Sequence, residues 1–346
     1  MRKLFNAFVV MVVAAPALVF GQGGDANKVL AEMRAALGGD KVAAVKTFTG
    51  AGRTVRTSQS GQSVENEFEL AMELPDKYMM RSVIANMGPQ MSIYRNAGFN
   101  GDGPINLVDT PPNLSGGGGG GVRVMMMPAG GAMSGAGGAG GQQTPEQKAA
   151  ADKALVLQQK KDFARMALAM FGQSFASFPL EFSYAGEAEA ADGKAHVIDV
   201  KGADDFTGRL FVDQKTSLPL MMSWMAKEPL QMTMGSRGGQ GGAPVAGGQS
   251  IAMGGGASFV AGGGQQMTDE QRKQMQADME ARMKEAEANR RTVEYRIYYS
   301  NFKTVGGVKI PHTFQRSVDG KPTEEMSFDQ IRINPRIDPK KFEITK

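Results

Sequence analysis

The sequence predicts a mainly β chain of the α+β kind, an unclosed antiparallel barrel of about eleven strands with covering helices. Three observations carry this. Apolar and polar residues alternate at period two over most of the chain outside two glycine-rich tracts. Turn signals separate consecutive runs, which makes hairpins rather than strand–helix–strand units. An open twisted sheet of that size curls, so its concave side has to hold either core or cargo.

The elements follow in order. Met1-Arg2-Lys3 precedes an apolar run from Leu4 to Phe20, and Val19-Phe20-Gly21 offers a cleavage site. Residues 1–21 read as a secretory signal peptide cut after Gly21. A membrane anchor is the alternative, although the run is short for a span, which takes about 20 residues. Residues 22–346 are expected to form one domain, exported to the periplasm, with no spanning segment. A helix starts near Asp25, carries the stripe Val29, Leu30, Met33, Ala36 and Leu37, and stops at Gly38-Gly39.

Five strands are then expected, at 47–57, 64–74, 78–84, 91–97 and 104–108. Ser60-Gly61, Pro75-Asp76 and Asn100-Gly101-Asp102 mark turns between them. Alternation resumes at Leu180, Phe182 and Tyr184, and continues through Val197–Val200, Phe206–Val212 and Leu218–Trp224. The C-terminal stretch adds three strands. Val293, Tyr295, Ile297 and Tyr299 share one face, as do Val308, Ile310, His312 and Phe314, with Gly306-Gly307 and Asp319-Gly320 as turns. Met326 and Phe328 continue this face, but Ile331 and Ile333 are out of phase with them. A bulge near Asp329-Gln330 is therefore predicted.

Two insertions resemble each other. The tracts 115–141 and 235–264 are mostly glycine, and each leads to Gly-Gly-Gln-Gln and a capping box, Thr144-Pro145-Glu146-Gln147 or Thr268-Asp269-Glu270-Gln271. Glycine loses the most entropy on ordering and buries no side chain, so both tracts read as loops. The helices that follow run to about Phe171 and Arg291. The second carries Met275, Met279 and Met283 at i, i+4 spacing, a narrow stripe for resting on an apolar surface or acting as a lid.

Composition removes several function classes. With no cysteine in 346 residues, the chain has no lipidated N-terminal Cys, disulfide framework, Cys-ligated zinc or thiol nucleophile. The net charge of +4 includes Arg2 and Lys3, and the remaining Lys and Arg are interspersed with Asp and Glu. A nucleic-acid partner would need a basic patch. The two histidines, His196 and His312, lie far apart in strand patterns, and no zinc-protease, nucleophile-elbow or phosphate-loop motif occurs. The expectation is a protein that is not an enzyme and uses no cofactor or metal. The 25 methionines give local clusters at Met125-Met126-Met127 and Met221-Met222, which suit an adaptable apolar lining.

Several motifs carry a resemblance. Asn301-Phe302-Lys303, Gly307-Val308-Lys309-Ile310-Pro311-His312, Ile331-Arg332-Ile333-Asn334-Pro335 and Leu210–Leu220 resemble the outer-membrane lipoprotein-sorting proteins, the LolA/LolB-like carriers. Leu74-Pro75-Asp76-Lys77-Tyr78 and Phe99-Asn100-Gly101-Asp102 match less specifically. The resemblance implies an incomplete barrel over an apolar cavity, and a carrier or binder of acyl chains or lipoproteins. It also leaves open a sensory or interaction protein that engages an envelope protein partner. The glycine-rich insertions depart from the pattern, the lack of an N-terminal Cys sets the chain apart from the membrane-anchored receptor branch, and the family's functional arginine is not mapped onto Arg53 or Arg56.

The cavity lining expected from strand phase is Phe68, Leu70, Met72, Phe182, Tyr184, Leu210, Val212, Leu220, Met222, Trp224, Tyr295, Ile297 and Phe314.

Overall fold

The computed structural model describes residues 23–57, 61–86, 92–109, 144–190, 193–228, 231–233, 250–252 and 269–344. The expected leader, the tract 115–141, the tract 235–264 apart from 250–252, and Thr268 of the second capping box lie outside the described residues. So do the side chains of Met275, Met279 and Met283. The chain groups into two compact units, Met1–Arg123 with Asp152–Met225 and Glu294–Lys346, and Val124–Ala151 with Ala226–Val293.

The first unit is built on one sheet. The chain runs through helices α1 (Gly23–Leu37) and α2 (Asp40–Ala43), then β1 (Thr47–Thr57), β2 (Ser63–Glu73), β3 (Lys77–Asn86), β4 (Ser92–Asn100) and β5 (Gly103–Asp109). Helix α3 (Pro145–Phe171) precedes β6 (Leu180–Ala190), β7 (Gly193–Gly202), β8 (Thr207–Asp213) and β9 (Pro219–Lys227). After two short strands of the second unit, β10 (Gln231–Thr233) and β11 (Ser250–Ala252), come α4 (Asp269–Ala288), β12 (Thr292–Val305), β13 (Val308–Val318) and β14 (Lys321–Ile333). A 3-10 turn, Pro339–Phe342, follows.

Twelve strands form the sheet, in the order β5-β4-β3-β2-β1-β14-β13-β12-β9-β8-β7-β6, one more than the sequence suggested. Its ends, β5 and β6, do not pair, so the barrel is unclosed, as expected. Two meanders, β1–β5 and β6–β9, are joined by the C-terminal strands. Strand β1 pairs with β14, Phe48 opposite Ile333. Asn334 fastens this junction. Its Oδ1 accepts from the Lys46 amide at 2.7 Å and its Nδ2 donates to the Ala44 carbonyl at 3.2 Å.

The predicted bulge is at Asp329. Ala51 pairs with Gln330 but Gly52 pairs with Phe328, leaving Asp329 unpaired between them. A Cβ on Gly52 would stand 2.0 Å from the Ser327 carbonyl oxygen, which is why glycine occupies the strand there. Further register shifts fall between Val83 and Ala85, Tyr184 and Gly186, Phe211 and Val212, and Arg316 and Ser317. Each bends its strand and adds twist.

Helix α1 buries Val29, Leu30, Met33 and Leu37 of the expected stripe and leaves Ala36 half-buried. It ends as predicted at Gly38-Gly39, where the Gly39 amide donates to the Arg34 carbonyl at 2.8 Å. Gly38 has a φ of 136°, and a Cβ there would lie 2.7 Å from the Gly307 carbonyl oxygen in the β12–β13 turn. On the other face of the sheet Phe342 closes a small cluster with Ala71, Met79 and Ile105.

In the second unit the capping box of α3 forms as predicted. The Thr144 amide donates to Gln147 Oε1 at 3.1 Å and the Gln147 amide to Thr144 Oγ1 at 3.3 Å. Strands β10 and β11 pair in parallel, so Ser250–Ala252, inside a tract read as a loop, are a strand. Beyond α4, Arg290 Nη1 donates to both Glu287 carboxylate oxygens at 2.8 Å and Arg291 Nη2 reaches Glu228 Oε1 at 2.6 Å. No described helix is long and apolar enough to cross a membrane.

Candidate functional site: the concave face and its charged belt

Strand phase brings most of the expected lining together. Phe68, Leu70, Met72, Leu210, Val212, Met222, Ile297 and Phe314 are buried in one contiguous cluster with residues of α1 and α3. Phe182, Tyr184 and Trp224 pack at its border and are partly exposed. Tyr295 stacks on Trp224 with ring centroids 5.5 Å apart and planes 12° from parallel.

Leu220 is the correction. It is 40 % exposed, because Val212 pairs with Pro219 while Phe211 pairs with Met221, and the skipped Leu220 is expelled from the inner face. A one-residue slip reverses the side to which a strand residue points.

Helix α3 covers the floor of the concave face. From Phe163 to Phe171, α3 is buried on every side, and Phe171 meets Phe48 edge-on at 6.3 Å. Phe163 packs among Tyr78, Phe99 and Phe175 at 5.5–5.7 Å. Edge-to-face pairs of this kind add about 0.5–1.5 kcal/mol each beyond the burial of their area. The inner face of β1–β4 is thus core.

A charged belt crosses the same face, and strand reasoning directed at apolar residues missed it. Arg56, Glu324 and Arg316 are neighbours on β1, β14 and β13, in inward phase with Thr54, Met326 and Phe314. Arg56 Nε donates to Glu324 Oε1 at 2.7 Å, and Arg316 Nε lies 3.5 Å from Oε2. Burial works against the charge of Glu324, but Arg316 and Arg56 outweigh it and hold its pKa below the ordinary carboxylate range.

Helix α3 adds Gln159, Asp162 and Arg165. The Gln159 amide faces the Gly98 peptide of β4. Arg165 is 7 % exposed, with its guanidinium 4.2 Å from the Trp224 ring and 4.8 Å from that of Phe206. Its Nη1 donates to Asp162 Oδ1 at 3.2 Å, while Nε is buried with no partner.

Desolvation pulls the Arg165 pKa below the guanidinium norm, Asp162 pulls it back, and Arg316 repels it. Burial pushes the phenols of Tyr78 and Tyr299 up, so both stay neutral donors, and the Tyr299 hydroxyl donates to the Arg165 carbonyl at 3.4 Å. The sequence did hold a signal. Residues 163–171 are apolar on all sides of a helix except at Arg165.

The two histidines are apart. His196 Nδ1 lies 3.1 Å from the Tyr184 hydroxyl, and His312 Nδ1 lies 3.0 Å from the Ile310 carbonyl. Among the described residues no three His, Asp or Glu side chains are placed to hold a metal.

No protein-family model and no curated protein matches the chain. Among solved structures, it is similar to an outer-membrane lipoprotein-sorting protein domain from Vibrio parahaemolyticus, at 7 % identity and a TM-score of 0.40, over 93 % of this chain and 97 % of that one. A LolA superfamily protein from Nitrosomonas europaea is similar at 9 % identity and a TM-score of 0.41, over 92 % and 97 %. A DUF1329 family protein from Desulfovibrio piger is similar at 7 % identity and a TM-score of 0.42, over 91 % and 96 %.

Proposed function

We propose that this is an exported, non-enzymatic binder or carrier of acyl chains or lipoproteins, acting in the periplasm after removal of residues 1–21. The observation that supports it is the cover. A concave apolar face is closed by helices rather than by a second sheet, and α3 takes Gln159 and Arg165 in with it, with Asp162 at the margin. Burying polar and charged groups costs free energy unless they are fully paired, and Arg165 is not.

An acyl chain of about 16 carbons prefers an apolar site to water by about 12 kcal/mol, at about 0.8 kcal/mol per methylene. A chain entering at Phe182, Tyr184, Trp224 and Tyr295 can therefore replace part of the contact made by α3. Exchange of one apolar cover for another lets a carrier bind tightly and still release.

The test is lipid extraction from protein purified out of the periplasm, followed by mass spectrometry. Near-stoichiometric acyl species are expected, and Trp224→Asp should lower the loading. Empty wild-type protein that also takes up no added acyl chain would overturn the reading.

A second reading has its own observation. Strands β5 and β6 end the sheet, and an envelope protein partner could add a strand there. Crosslinking at β5 or β6 to one partner, with no lipid bound, would favour it.

A further inference from the structure

The charged belt holds more positive than negative charge. Arg56, Arg165 and Arg316 are three guanidinium groups against the two carboxylates Asp162 and Glu324, an excess of one. Glu324 is shared between Arg56 and Arg316, and Asp162 reaches only Nη1 of Arg165. The Arg165 Nε stays buried without an acceptor. An unsatisfied buried donor on a charged group costs more than a neutral one, and a second anion would satisfy it. The belt is open to solvent at its margin, since the Arg316 and Asp162 side chains are 44 % and 37 % exposed. Beside it stand the partly exposed rings of Trp224 and Tyr295, and the Arg165 guanidinium lies over Trp224.

We propose that Arg165 and Arg316 receive the anionic head, a carboxylate or phosphate, of a long-chain amphiphile whose apolar part lies along Trp224 and Tyr295. The proposal rests on the acyl-binding reading and gives it a ligand class. A planar guanidinium offers donors in a fork that matches carboxylate and phosphate oxygens. The Arg165 guanidinium lies over the face of Trp224, which holds it in place and leaves N–H donors for an anion. A neutral chain would leave the Nε orphaned, and a cationic head would meet the charge excess. The ligand sits with its head at the belt and its tail at the rim, so the belt fixes which end enters.

The chain's single tryptophan, Trp224, is the reporter. Full-length protein, stripped of lipid, is titrated below the critical micelle concentrations with dodecyl phosphate, dodecanoate, dodecanol and inorganic phosphate while Trp224 fluorescence is followed. At least one of the two charged amphiphiles should bind about tenfold or more tighter than dodecanol, the size of one charge-assisted hydrogen bond. Which of the two is preferred tells a phospholipid-like head from a fatty acid.

Arg165→Met and Arg316→Gln should each bring the charged ligands down to the affinity of dodecanol, in protein that circular dichroism shows to be folded at the titration temperature. Arg316 is partly exposed, so its variant carries the test if Arg165→Met misfolds. Equal binding of dodecanol and the charged amphiphiles to wild type, or an unchanged preference in both variants, would overturn the head-group site and leave acyl binding intact. Inorganic phosphate binding as tightly as dodecyl phosphate would leave the anion site and overturn the acyl reading. No binding by any of the four would overturn both.

Discussion

The two flanks of the concave face are built alike and used differently. On the β1–β4 flank Phe48 and Phe99 are sealed against Phe171 and Phe163 of α3, and Phe68 packs edge-on against Phe328 of the adjoining β14. On the β6–β9 and β12 flank Phe182, Tyr184, Trp224 and Tyr295 keep part of their surface in solvent, and the Arg165 guanidinium of α3 lies over Trp224. Both flanks show the same period-two alternation. Strand phase therefore tells which side of a sheet a residue takes, and says nothing of what covers it. Both flanks bury their inner residues, Leu210 and Met222 as fully as Phe48 and Phe68, and they differ at the rim, where the second keeps aromatic surface in solvent.

Substitutions test this contrast. The largest effect is expected at Phe171, wholly buried on α3, where Phe171→Ala should cost about 3–5 kcal/mol in denaturant unfolding. Met222, equally buried, should lose about 2–5 kcal/mol as Met222→Ala. Asp at that position would abolish folding rather than report on ligand loading.

Trp224→Ala, at the partly exposed rim of the same strand as Met222, should cost less stability than either but remove most acyl loading, read by mass spectrometry. Loading that survives would return Trp224 to the core. Glu324→Gln acts through pH. Because the folded pKa of Glu324 is depressed, its contribution is present above the ordinary glutamate value and is lost as pH falls through the depressed one. An acid titration of the melting temperature should be shallower in the variant. Smallest of all, Leu220→Ala on the bulge should stay within about 0.5 kcal/mol of wild type.

Much of the fold was legible in the residues. Alternation placed the strands, Gly38-Gly39 the end of α1, Thr144 with Gln147 the start of α3, and the phase break after Phe328 the bulge at Asp329. The bulge at Leu220 was not legible. Leu218, Leu220, Met222 and Trp224 alternate without a break, and only pairing with β8 expels one of them. The order of strands was hidden too, because β1 meets β14 through contacts almost the whole chain apart. Phase placed the expected apolar residues on the inner face apart from Leu220, while the belt was overlooked because Arg56, Arg316 and Glu324 look like the solvated side of a strand when taken singly.

The pairing of β1 with β14 also orders events during synthesis. Each meander can assemble from neighbours as soon as it emerges, but their join waits for the last hairpins and for Asn334. Until then the nascent protein holds two half-built sheets with raw inner borders, an interval in which a chaperone would find its strongest foothold. A chain cut short before Thr292 would stay in that condition permanently.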